Sequence, residues 1–198
     1  QAAIKPRLQE AVPATQAVGQ YESVRQHTEP THFESPQAFV ETMLPMAQKA
    51  AEKLGLDPRY LVAQAALETG WGKSLPRDTQ GRTSYNLFGI KAHGWKGDSV
   101  QAATSEYVAG KKVQEQAEFR QYASFAQSFD DYVAFLHNNP RYQNALQATD
   151  NPEHFVRELQ RAGYATDPQY AKKISGIVQQ IQDQQSMLAQ SVQLTHRG

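Results

Sequence analysis

Residues 57–74 read DPRYLVAQAALETGWGKS, and the fold is read outward from them. Asp57 followed by Pro58 is a cap and a preorganised first helical residue. Tyr60, Leu61, Ala65 and Leu67 then carry a helix to about Thr69, where Gly70 ends it. Glu68 is the penultimate residue of that helix, ahead of Gly70-Trp71-Gly72. A carboxyl there meets the negative end of the helix dipole, and Trp71 with an apolar wall adds desolvation. Both favour the protonated form, which is the form a proton donor to a glycosidic oxygen needs. The same residues also suit a solvated helix end, and local context alone leaves the two readings open. Two glycines permit a sharp turn and close approach of a substrate.

Upstream, Ser35-Pro36 repeats the cap-plus-proline device. Phe39, Met43, Met46, Ala47 and Ala50 follow at helical spacing until Gly55, with a kink expected at Pro45. Residues 1–34 are polar and carry Pro6, Pro13 and Pro30 without an apolar period, so they are expected to form a linker or loosely docked arm. Downstream, residues 75–98 are rich in Gly, Ser, Asp and Asn and read as long loops, a common seat of function. Alternation at Thr104, Glu106 and Val108, a turn at Ala109-Gly110-Lys111, and alternation from Val113 to Phe119 predict a β-hairpin. Ser128 and Asp131 suggest a capping box for a further helix. Asn151-Pro152 and Asp167-Pro168 open two more, the last with Tyr170, Ile174, Ile177, Val178 and Ile181 on one face. Beyond about Gln182 the Gln- and Ser-rich end is expected to fray. The reading is a mainly α domain over residues 35–182 with a small inserted β-hairpin lobe.

Composition removes several classes of function. The 198 residues carry 20 basic and 20 acidic side chains, so no broad basic field points to nucleic acid or anionic lipid. No apolar run approaches the roughly 20 residues of a membrane span. No Cys is present, which rules out thiolate nucleophiles, thiolate metal sites and disulfides. The histidines show no paired-ligand spacing, and no Gly-rich phosphate loop or G-x-S-x-G elbow appears. Neither a metal nor a cofactor is expected.

The stretches AQAALETGWGKS, SYNLFGIKA, GWKGDSV, TSEYV, FRQYASFAQSFDDYVAFL and RAGYATDPQYAKKI occur in this order. Together they resemble the glucosaminidase family of peptidoglycan hydrolases over about residues 37–182, and within it the C-terminal hydrolase halves of Gram-negative flagellar rod-assembly proteins. The resemblance implies a lysozyme-like helical fold that cleaves glycan strands after N-acetylglucosamine. It places the catalytic acid on Glu68 and a second carboxylate on Glu106 of TSEY. It also implies peptidoglycan as partner, flagellar rod proteins as partners of a further N-terminal domain, and a periplasmic location reached without a visible cleavable signal.

Sugar sites combine aromatic platforms with amide and hydroxyl groups. The candidates for these contacts are Trp71, Tyr85, Asn86, Phe88, Tyr107, Tyr122 and Tyr164. Each also has a structural reading, as core aromatic or turn residue. Asp131 and Asp167 read first as caps. Two alternatives stay open: a lytic transglycosylase or muramidase on the same fold, and a glycan-binding module that does not cut. Stereochemistry is also left open, because the N-acetyl group of the substrate could serve as nucleophile.

Overall fold

The computed structural model describes residues 29–195, so residues 1–28 of the expected N-terminal arm lie outside the described residues. Helix α1 spans Pro36–Leu54 and α2 spans Pro58–Thr69. A hairpin of β1 (Ser99–Val108) and β2 (Lys111–Arg120) follows the long loops. Then come α3 (Phe125–Asn138), a 3₁₀ turn at Pro140–Tyr142, α4 (Gln143–Leu146), α5 (Pro152–Arg161) and α6 (Tyr170–Thr195).

Helix α2 is central. It packs against α1 and α6, while α1 also meets α3, and α5 meets α4 and α6. Eight of its residues, Tyr60 to Ala66 and Thr69, are buried, which accounts for its weak amphipathic pattern. Phe39 and Met43 of α1, Phe125, Phe129, Tyr132 and Leu136 of α3, and Ile174, Val178 and Ile181 of α6 complete the core. Burial of each such side chain contributes roughly 1.5–3 kcal/mol. The Gln64 side chain is enclosed with them. Gln64 is fully buried, accepts a hydrogen bond from the Tyr132 hydroxyl (2.8 Å) and donates one to the Tyr170 hydroxyl (3.1 Å). The amide thereby ties α2 to α3 and α6 at a depth where an unpaired polar group would be costly.

The cap-and-proline starts are present at three helices. Ser35 Oγ accepts from Ala38 N, Asp57 Oδ1 from Arg59 N, and Asn151 Oδ1 from His154 N. The expected capping box at Ser128 and Asp131 is not. The cap of α3 is Ser124, whose Oγ accepts from Gln127 N at 3.1 Å. Ser128 faces the interior and accepts from Leu87 N, and Asp131 pairs with Arg120 at 3.0 Å. Both residues are taken up by tertiary partners. Helix α6 runs on to Thr195, past the Gln182 at which the sequence reading stops, because nothing after Gly176 breaks a helix. Its buried face nonetheless ends at Ile181.

A lone two-stranded hairpin is marginal in water, so this one needs anchors. At its base Val100 and Phe119 are buried, Ala92 N donates to Glu118 O, and Arg120 N donates to Ile90 O. Near its tip Tyr107 N donates to Thr166 Oγ1 (2.9 Å), a residue of the α5–α6 connection. The tip itself is a two-residue turn, Ala109 at φ 49° and Gly110 at φ 77°. Two positive φ values in succession match the twist of the flanking strands.

Candidate active site

Where α2 ends, the chain passes through three left-handed residues, Gly70 (φ 55°), Trp71 (φ 59°) and Gly72 (φ 81°). Positive φ is strained for a residue as bulky as Trp71. Thr69 holds the turn: its hydroxyl donates to Ala65 O, accepts from Gly72 N at 2.9 Å, and its carbonyl receives Ser74 N. This turn leaves Glu68 half-buried at the helix end.

The Glu68 carboxyl makes no hydrogen bond and no ion pair with any described residue. Gly89 (φ 63°) approaches it so closely that a Cβ there would lie 2.8 Å from Glu68 Oε2. The Gly89 backbone is held by its neighbour, because Tyr164 donates its hydroxyl to Phe88 O at 2.6 Å. Burial, followed by the negative charge of Glu106, pushes the Glu68 pKa up to about 8. Tyr164 is affected in the same direction. Burial, then the neighbouring phenols of Tyr132 and Tyr170, and then Glu68, put its pKa well above the ordinary value, so the phenol remains a donor.

Glu106 lies on β1 opposite Val113 and reaches back to the helical part of the domain. Lys91 Nζ lies 2.9 Å from its Oε1, and Thr166 Oγ1 donates to its Oε2 at 2.6 Å. Burial opposes the charge on Lys91, but the carboxylates of Glu106 and Glu115 outweigh it and raise the ammonium pKa. The two carboxyl groups thus have opposite surroundings, one without a partner and the other held by a cation and a hydroxyl.

The remaining expected residues divide. Trp71 is half-buried with its indole edge-on to Phe39, and Tyr85 is half-buried edge-on to Phe125. Three others have their side chains engaged by the framework. Asn86 is buried with its amide fully used: Nδ2 donates to Ile90 O and Arg120 O, and Oδ1 accepts from Ile90 N. Phe88 is 1% exposed and stacked on Tyr132 with centroids 4.1 Å apart. Tyr122 is buried, and its hydroxyl donates to Asp131, which also holds Arg120. Tyr107 follows Glu106 directly in the strand, so its side chain takes the opposite face. Gln64, Gly89, Lys91 and Thr166 were not among the expected residues. Gly89 had a weak signal as a glycine in a family block. Lys91 and Thr166 also lie in family blocks, but nothing local marks them, since their partner lies on a distant strand. Among the described residues no group of three or more His, Cys, Asp or Glu side chains could hold a metal ion, and no helix is long and apolar enough to cross a membrane.

Comparison with known proteins agrees with this architecture. The chain is 61% identical over 158 residues to the peptidoglycan hydrolase FlgJ of Pseudomonas aeruginosa, covering 79% of this chain and 40% of that protein. It spans 40–50% of the length of the first curated relatives it matches. Among solved structures it is similar to a peptidoglycan hydrolase mutant from Sphingomonas sp. A1 (TM-score 0.67, 49% identity, 72% of this chain and 92% of that one). It is also similar to the glycoside hydrolase domain of Salmonella typhimurium FlgJ (TM-score 0.64, 36% identity, 82% and 98%). The mainly α domain with its hairpin lobe is the lysozyme-like fold of these neighbours. The Glucosaminidase family model, described as mannosyl-glycoprotein endo-beta-N-acetylglucosaminidase, matches residues 44–183. That match covers more than half of the chain and includes Glu68, Glu106 and Tyr164, so the chain belongs to the glucosaminidase family.

Proposed function

We propose that this chain is a peptidoglycan hydrolase that cleaves the glycan strand after N-acetylglucosamine, with Glu68 as general acid and Glu106 as the second carboxylate. The observation that carries the reading is the unpartnered, half-buried Glu68 with its pKa pushed up to about 8. A carboxyl in a structural role would have a partner, whereas a proton donor needs to reach neutral pH with its proton still in place.

In this reading Glu68 gives its proton to the glycosidic oxygen as the C1–O bond breaks. Positive charge develops at C1 of the sugar and is stabilised by the Glu106 carboxylate. Water then adds at C1, its proton is taken up by a carboxylate, and a reducing N-acetylglucosamine end is released. Trp71, half-buried in the turn after the acid, and Tyr164, half-buried and close to it, are the aromatic surfaces assigned to the sugar faces, and Tyr85 is a further one. The similarity to FlgJ peptidoglycan hydrolases supports an activity in the cell wall outside the cytoplasmic membrane, where it would open a path for the flagellar rod.

The test is digestion of purified peptidoglycan by wild type and by Glu68→Gln, with borohydride reduction and mass spectrometry of the fragments. Reduced N-acetylglucosamine ends from wild type alone are expected. Reduced N-acetylmuramic or anhydro ends would move the cut to muramidase or transglycosylase chemistry. Full activity in Glu68→Gln would remove Glu68 from its role.

A further inference from the structure

Glu106 stands on a two-stranded hairpin, an element with little stiffness of its own. Its carboxylate is nevertheless held at both oxygens by groups from outside the hairpin. Lys91 Nζ is 2.9 Å from Oε1, and Thr166 Oγ1 donates to Oε2 at 2.6 Å. The direction of the second bond is determined by its surroundings. Thr166 Oγ1 already accepts the Tyr107 N–H at 2.9 Å, so the single hydroxyl proton is left for Glu106. Lys91 is placed by the backbone bonds of its neighbours to β2, from Ala92 N to Glu118 O and from Arg120 N to Ile90 O. Its ammonium also reaches Glu115 Oε1 at 3.5 Å. Glu115 pairs with Thr104 and therefore shares a face of the hairpin with Glu106. One cation thus sits against two carboxylates that would otherwise repel each other.

We infer that Lys91 and Thr166 are positioning residues that clasp the Glu106 carboxylate, fixing both its orientation and the closed placement of the hairpin against the helical part of the domain. The inference rests on the reading of Glu106 as the second carboxylate. Each oxygen keeps a further lone pair outside the clasp, so a held Glu106 can still face a developing positive charge or accept a proton from water. Lys91 and Thr166 arrive from opposite directions, one from the loop before β1 and one from the α5–α6 connection, so loss of either leaves the carboxylate free to swing.

The experiment compares kcat and KM for peptidoglycan digestion among wild type, Lys91→Met, Lys91→Arg, Thr166→Val, Thr166→Ser and Glu106→Gln. Thermal melting of each variant controls for folding. Lys91→Met is expected to lower kcat about tenfold with KM little changed, less than the ~10²–10⁴-fold that a whole acid or base contributes. Thr166→Val should lower kcat in the same way, and Thr166→Ser, which keeps the hydroxyl, should restore it. Lys91→Arg, which keeps the cation, should hold kcat near that of wild type. Unchanged kcat in both Lys91→Met and Thr166→Val, alongside a strong loss in Glu106→Gln, would overturn the clasp alone. Full activity in Glu106→Gln would overturn the assignment of the second carboxylate, and the clasp with it.

Discussion

In the proposed mechanism, the state in which Glu68 is held helps chemistry at the expense of stability. Its folded pKa of about 8 lies above the ordinary 4.5, so the folded chain keeps a proton that the unfolded chain releases between these values. The stability associated with this group is fully present below about pH 4.5 and is lost as pH rises to about 8. Glu68→Gln removes the titration. At pH 9 the variant should therefore be more stable than wild type, by on the order of a few kcal/mol at ~1.4 kcal/mol per pKa unit, with little difference at pH 4.5. Urea unfolding at the two pH values checks this, and an equal difference at both would show that Glu68 titrates normally. For the same reason wild-type kcat/KM should fall as pH rises through about 8, where the acid loses its proton. Gly89 belongs to the same scale. Its φ of 63° and the 2.8 Å between an added Cβ and Glu68 Oε2 leave no room for a side chain. Gly89→Ala is expected to lose about 1 kcal/mol from backbone strain, and more than tenfold in kcat because the carboxyl is displaced. Unaltered kcat in a folded Gly89→Ala protein would show that the acid has room to shift.

Elements were legible where their signals are local. Ser35-Pro36, Asp57-Pro58 and Asn151-Pro152 each combine a cap with a proline, and each starts a helix in the structure. The hairpin was legible from alternation and the Ala109-Gly110 turn. What could not be read is what tertiary contacts decide. Ser128 and Asp131 have the spacing of a cap, yet one faces Leu87 in the interior and the other Arg120 and Tyr122. Asn86, Phe88 and Tyr122 carry the chemistry of a sugar site and are used to hold the loop, the core and the base of β2. At the candidate site the local context of Glu68 left two readings open, and family resemblance singled out both Glu68 and Glu106. Lys91 and Thr166 were not legible, because they act across the gap between elements. The turn offers a prediction of its own. Ala109 adopts φ 49° in a two-residue turn that prefers Asn or Gly at that position. Ala109→Asn should therefore stabilise the tip by a few tenths of a kcal/mol, seen as slower amide exchange in residues 105–114. Faster exchange there would mean that Ala109 contributes something the turn geometry does not show.

At the scale of the molecule, the segment before α1 is tied into the loops that follow the Glu68 helix. Phe33 is 7% exposed, meets Phe39 edge-on at 5.2 Å and lies against Phe125. Gly72 gives it space, since a Cβ on Gly72 would come within 2.3 Å of the Phe33 ring. Arg77 donates to Thr31 O, and Phe125 N at the start of α3 donates to Glu29. Residues 29–33 thus bridge the turn after Glu68, the loop beyond it and the first turn of α3. Phe33→Ala should destabilise the domain by about 3 kcal/mol, toward the low end for a buried Phe because one edge of the site can relax into solvent. Gly72→Ala should cost at least as much, because it combines a φ of 81° with a direct collision against the same ring. If the bridge acts as one unit, the double variant should lose less than the two single losses combined, since removing the ring also removes the collision. Urea unfolding of the two single variants and the double variant decides this. Additive losses would mean that Phe33 and Gly72 stabilise the fold independently, and that the turn after Glu68 stands without the segment packed against it.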